Sequence, residues 1–169
     1  SGGTLIARGG GSLGNGPITI TGATLALRSD IPNDIFGTNV VTMSGNAVIN
    51  VDQIASGSNL RLGIGTLRVT AATTATLTTA ANANGYSLSI AGITQTPTTA
   101  TTLTIANASP LVIGSFSTTS TATPRLSFTG AAGAVITGNI TQGTVPLSLD
   151  RSTGAGTLIL QGTSTLTGA

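Results

Sequence analysis

Apolar residues recur at every second position in short bursts along this chain. They run TLIA (4–7), ITI (18–20), TLALR (24–28), VINV (48–51), NLRL (59–62) and TLRV (66–69) in the first part. SLSI (87–90), TLTI (102–105), PLVI (110–113), RLSF (125–128), PLSL (146–149) and TLIL (157–160) follow. Side chains two residues apart lie on the same face of a strand, so each burst supplies about two inward positions before Gly, Asn, Ser or Pro breaks it. The pattern predicts an all-β chain of many short, fairly evenly spaced strands: a sandwich, a barrel or a β-solenoid.

Three features favour the solenoid. The inward residues are almost all Leu, Ile and Val, with only three Phe and one Tyr in the chain. A sandwich must fill a gap of about 10 Å between its sheets, and it normally uses large aromatic residues to do so. Thr and Asn recur at the breaks, where like residues on successive rungs can hydrogen-bond along a stack. The segments also resemble one another, as in Gly3-Thr4-Leu5, Gly65-Thr66-Leu67 and Gly156-Thr157-Leu158. Self-similarity of this kind marks stacked repeats. At about 20 residues per coil, the expectation is a parallel β-helix of about eight rungs forming a single module over residues 1–169. The Thr-rich stretches 70–85 and 94–105 are taken as rungs with outward Thr rows, because uncharged Thr/Leu alternation is unlike a disordered linker.

Composition strengthens the β assignment and removes several functions. Thr supplies 33 positions and Gly 24, and both suit strands joined by turns. Charged residues are 6%, where about 25% is usual. The net charge is +2 and the six Arg (8, 28, 61, 68, 125 and 151) are scattered. Nucleic-acid binding needs clustered phosphate-neutralising residues, and none is present. No apolar run reaches the 18 residues that a spanning helix requires, so no membrane span is expected. Without Cys there is no disulfide or thiol chemistry. The chain opens at Ser1, which suggests a processed or excised segment.

Catalytic candidates are few. Glycoside hydrolysis needs two opposed carboxyl groups, and a polysaccharide lyase needs a base with acids that often hold calcium. The acids are Asp30, Asp34, Asp52 and Asp150. Asp30 and Asp34, in SDIPNDIFG, read first as caps of turn backbone and second as a cation site. Asp150-Arg151 reads as a local turn pair. With no His, Cys, Lys or Glu, most acid–base and nucleophilic options are missing, and GGGSLGNG lacks the Lys and helix of a phosphate loop. The chain is therefore expected to be no enzyme and to need no cofactor. Outward Thr, as in TATLTT, also raises ice binding, although the Thr-x-Thr spacing in the sequence is irregular.

The two ends carry a resemblance. SGGTLIARGGGSLGNGPITITGATLAL, through Gly3, Thr4, Leu5, Leu13, Gly14, Gly16, Pro17, Ile18, Thr19, Ile20, Gly22 and Leu25, resembles the autotransporter-associated β-strand repeat of bacterial surface proteins. GAGTLILQGTSTLTGA (154–169) resembles the family's other signature, with Ser164-Thr165-Leu166 where an Asn-Thr-Tyr is usual. The resemblance covers about residues 1–28 and 154–169 and implies a right-handed parallel β-helix of an exported protein. It places the chain outside the cell, on the bacterial surface, as a stalk, fibre or adhesin passenger. Placed end to end, tail and head restore one nearly continuous motif, the expectation for one period of a tandem or stacked array. The expected function is a structural module that stacks on itself head to tail. The junction would consist of Gly3, Thr4, Leu5 and Ile6 on one side and Gly156, Thr157, Leu158, Leu160 and Leu166 on the other. An adhesive segment binding surface glycans is the alternative.

Overall fold

The computed structural model describes residues 2–80 and 82–166, with the backbone alone at Thr165. The described residues hold eighteen strands and no helix. In chain order they begin β1 (Thr4–Arg8), β2 (Ile18–Ile20), β3 (Ala23–Arg28), β4 (Asp34–Ile35), β5 (Val41–Met43) and β6 (Ala47–Asp52). Next come β7 (Arg61–Val69), β8 (Ala75–Thr79), β9 (Ser87–Gln95), β10 (Thr102–Asn107), β11 (Leu111–Ile113) and β12 (Phe116–Thr118). The last are β13 (Arg125–Phe128), β14 (Ala134–Ile136), β15 (Ile140–Thr141), β16 (Ser148–Arg151), β17 (Leu158–Leu160) and β18 (Ser164–Thr165). Every pairing is parallel. The chain is a β-solenoid, as its periodicity predicts.

The cross-section has three faces. The first is a seven-stranded sheet in the order β1-β3-β6-β8-β10-β13-β16. The second and third share an eleven-stranded sheet that turns a corner. In β7 the core side chains are Leu62 and Ile64, then Leu67 and Val69, so strict alternation breaks between Ile64 and Leu67. In β9 the same break falls between Ile90 and Ile93. The second face therefore holds β4, β11, β14 and β17 with the first halves of β7 and β9. The third holds β2, β5, β12, β15 and β18 with the second halves. Glycine makes the corner possible: a Cβ on Gly138 would lie 2.1 Å from the Gly114 carbonyl oxygen, and one on Gly162 would lie 2.0 Å from that of Gly138.

Seven strands on the first face mark about six turns, fewer than the eight expected. The assumed coil was too short. Thr4 aligns with Thr24, Thr24 with Val48 and Val48 with Thr78, offsets of 20, 24 and 30 residues. Later offsets are 28 (Thr78 to Ala106) and then 23 twice (Thr102 to Arg125 to Ser148). A three-faced coil with loops flanking the first face needs more chain than a minimal turn. At about 4.8 Å per rung, seven strand layers span about 29 Å between the first and last strands.

The interior is a continuous column of aliphatic residues, in which Leu25 faces Ile49 and Leu27 faces Val51 from rung to rung. All the aromatic residues join it: Phe36, Phe116, Phe128 and Tyr86 are fully buried. The Thr-rich stretch 70–80 contributes a rung strand, with β8 placing Ala75, Leu77 and Thr79 inside and Thr76 and Thr78 half-exposed. Thr79 is thus an inward Thr in a stretch expected to carry outward ones. It is matched by Ser109, whose hydroxyl lies 3.2 Å from its own.

Candidate functional site

The two ends of the coil are open. Among the described residues nothing pairs with the outer edge of β1, or with those of β16, β17 and β18. At the first end, Leu5 stands in register with Leu25 and Ile49 and points along the interior column. It is nevertheless 50% exposed, because no rung covers it. Ile6, on the outward column with Ala26, is 55% exposed. Gly3 anchors this edge by accepting the Thr24 N–H at 2.9 Å, and Thr4 is exposed.

At the other end, Leu158 and Leu160 stand in register with the buried Ala134 and Ile136. Leu158 is half-buried and Leu160 is 45% exposed, again for want of a covering rung. Thr157 accepts the Ala134 N–H at 2.9 Å through its carbonyl, and Leu166 adds exposed apolar surface. Gly156 lies so close to the preceding coil that a Cβ would fall 2.0 Å from the Ala132 carbonyl oxygen. The tail's final Thr167-Gly168-Ala169 lies outside the described residues.

The structure does not bring the head and tail residues together within one chain. Gly3–Ile6 lie on the first face at one end, and Gly156–Leu160 lie on the second face at the other. In a continued stack, β1 of the next copy would sit on β16, not on β17. The third face would continue from β18 to β2. The strand β16 was legible as PLSL (146–149), but sequence alone did not say which face it occupies.

Asp150 and Arg151 lie in β16 rather than in a turn. Their side chains do not pair with each other. Asp150 forms an ion pair with Arg125 on the neighbouring strand, and Arg151 donates to the Gly130 carbonyl at 2.7 Å. The Ser127 hydroxyl and the Arg125 guanidinium hold the Asp150 carboxyl below its usual range.

Asp30 and Asp34 are committed to protein donors. The Asp30 carboxylate accepts N–H groups of Ile54 at 2.9 Å, Ala55 at 3.1 Å and Ser56 at 3.3 Å, capping the turn of the next coil. Desolvation works against its charge, but these backbone N–H groups outweigh it and hold its pKa below the usual value. Asp34 accepts the Ser29 hydroxyl at 2.5 Å. Among the described residues, no three acids, His or Cys gather as a metal site would require.

The third face carries an ordered polar array. Thr19, Thr42, Arg68, Thr94, Ser117 and Thr141 form one outward column in register. Just past the end of each strand, Thr21, Ser44, Thr70, Thr96 and Thr119 form a second column. Backbone bonds hold it, such as Thr70 N–H to Met43 at 3.0 Å and Thr96 N–H to Val69 at 2.9 Å. Hydroxyls bond along the axis between Thr21 and Ser44, and from Ser117 to Thr94 at 3.2 Å. The irregular spacing in the sequence is absorbed by loops. Comparison of the chain with protein-family models, curated proteins and solved structures finds no match.

Proposed function

We propose that this chain is a structural module of an exported bacterial surface fibre or stalk, stacking head to tail through its open ends. The observation that carries the reading is the pair of uncovered edges. Both expose residues, Leu5 and Leu160, whose register places them in the interior column. Sheet edges in isolated proteins are commonly blunted by Lys, Pro or a covering element, because unpaired backbone groups recruit other chains. Here the outer rims of β1 and β17 present aliphatic side chains instead. A contact between unlike ends does not close on itself, so it propagates as a filament. The similarity of the head and tail segments to autotransporter-associated repeats supports an extracellular location and the same architecture. The reading assigns the chain no catalysis.

Electron microscopy of the assembled protein tests the proposal. Seven strand layers per copy at about 4.8 Å give an axial repeat of about 34 Å. Filaments with that repeat support stacking along the axis. A protein that remains monomeric at high concentration overturns it.

A further inference from the structure

The geometry points to Arg68 as the centre of a binding site for an acidic polysaccharide on the third face. Arg68 is exposed and makes no hydrogen bond or ion pair with any described residue. Threonines surround it on four sides. Thr42 and Thr94 lie across the two neighbouring strands at about 4.8 Å, and Thr66 and Thr70 lie two residues before and after it in the chain. The hydroxyls of Thr42, Thr66 and Thr70 have no partner among the described residues either. None of the four Asp lies on this face, so the guanidinium has no acid to neutralise it there.

A planar guanidinium with free neighbouring hydroxyls suits a sugar bearing a carboxylate or a sulfate ester. The charged group takes paired N–H donors from Arg68, and the sugar hydroxyls exchange hydrogen bonds with the threonines. A rigid ice surface is the competing occupant of such an array. It demands flatness, and Arg68 projects from the middle of the columns, whereas a flexible chain can bring its anion to that point. If copies stack as proposed above, Arg68 recurs about every 34 Å, and a long polymer then gains avidity from many weak contacts.

The test uses the single chain at concentrations where it is monomeric, so its failure leaves the stacking proposal untouched. Binding is measured to immobilised polyuronate, dextran sulfate and uncharged dextran. The expected result is binding to one or both anionic polymers and not to dextran; the preferred polymer identifies carboxylate or sulfate. Arg68→Gln should weaken binding about tenfold, equivalent to about 1.4 kcal/mol. Arg8→Gln, which removes an exposed charge from the first face, should leave it unchanged. Equal loss in the two variants, equal binding to dextran, or no binding would overturn the site. Thermal hysteresis without polysaccharide binding would assign the array to ice instead.

Discussion

The Tyr86 hydroxyl donates to the Ser29 carbonyl at 2.9 Å, joining residues 57 positions apart. Tyr86 is wholly buried, and Asn82 clamps its backbone by accepting its N–H at 2.6 Å and donating to its carbonyl at 3.0 Å. The bond ties the end of β3 to the entry of β9. Tyr86→Phe keeps the ring and strands the Ser29 carbonyl. We expect a loss of about 1–3 kcal/mol in urea unfolding, and a larger loss for Tyr86→Ala, which also leaves a cavity.

The same tyrosine predicts an alkaline transition. Desolvation, reinforced by the negative charges of Asp30 and Asp52, raises its pKa above the ordinary 10.0. The folded protein therefore holds the phenolic proton more tightly than the unfolded chain. Its contribution is complete below about pH 10 and is lost as pH rises through the folded value. Thermal melts across that range should show a decline that Tyr86→Phe reduces.

Asp30 predicts the opposite limb. Its lowered pKa means that its contribution is present above the unfolded value of 3.8 and lost as pH falls through the folded value. Melting temperatures followed from pH 6 toward pH 2 should fall less steeply in Asp30→Asn than in the parent. An unchanged slope would mean that the cap over Ile54–Ser56 does not couple to folding.

The corner glycines predict a steric effect. A methyl group on Gly138 would press on the Gly114 carbonyl oxygen at 2.1 Å, and backbone of the neighbouring rung cannot yield as a side chain can. Gly138→Ala should cost about 3 kcal/mol, at the upper end for overpacking. Gly16→Ala, with nothing within 4 Å of the added carbon, should be nearly silent in the same denaturation assay.

At the ends, Leu5→Lys and Leu160→Lys should abolish filament growth and leave monomer stability within about 0.5 kcal/mol, because exposed sites tolerate such changes. Ile54→Lys, at an exposed apolar residue away from both ends, is the matched control and should assemble normally. Light scattering read beside thermal melts separates lost stacking from lost folding.

Much of this fold was legible in the chain because period-two alternation is a local property. Leu25 and Leu27 announce an inward face without reference to any other segment. The short strands at 34–35, 41–43, 116–118, 134–136 and 140–141 were not legible, since each carries at most one inward Leu, Ile or Val, where ITI (18–20) carries two. The bend in β7 was hidden for another reason: NLRL (59–62) and TLRV (66–69) look like two strands, yet Arg61–Val69 is one strand that bends at Gly65. Of the candidate site, the apolar residues of the head and tail could be named in advance. Their opposite ends and different faces could not.

Arg68 and its threonines show the same division. By itself the sequence determined an all-β solenoid with aliphatic inward positions, low charge and hydroxyl-rich outward positions, because strand geometry alone dictates which side of the backbone each residue faces. The tertiary structure alone decided the number of turns, the three faces and the register between rungs. Coil length is set by loops whose 20- to 30-residue offsets obey no local rule. That register gathers Thr42, Arg68 and Thr94, spaced 26 residues apart in sequence, into adjacent places on one surface.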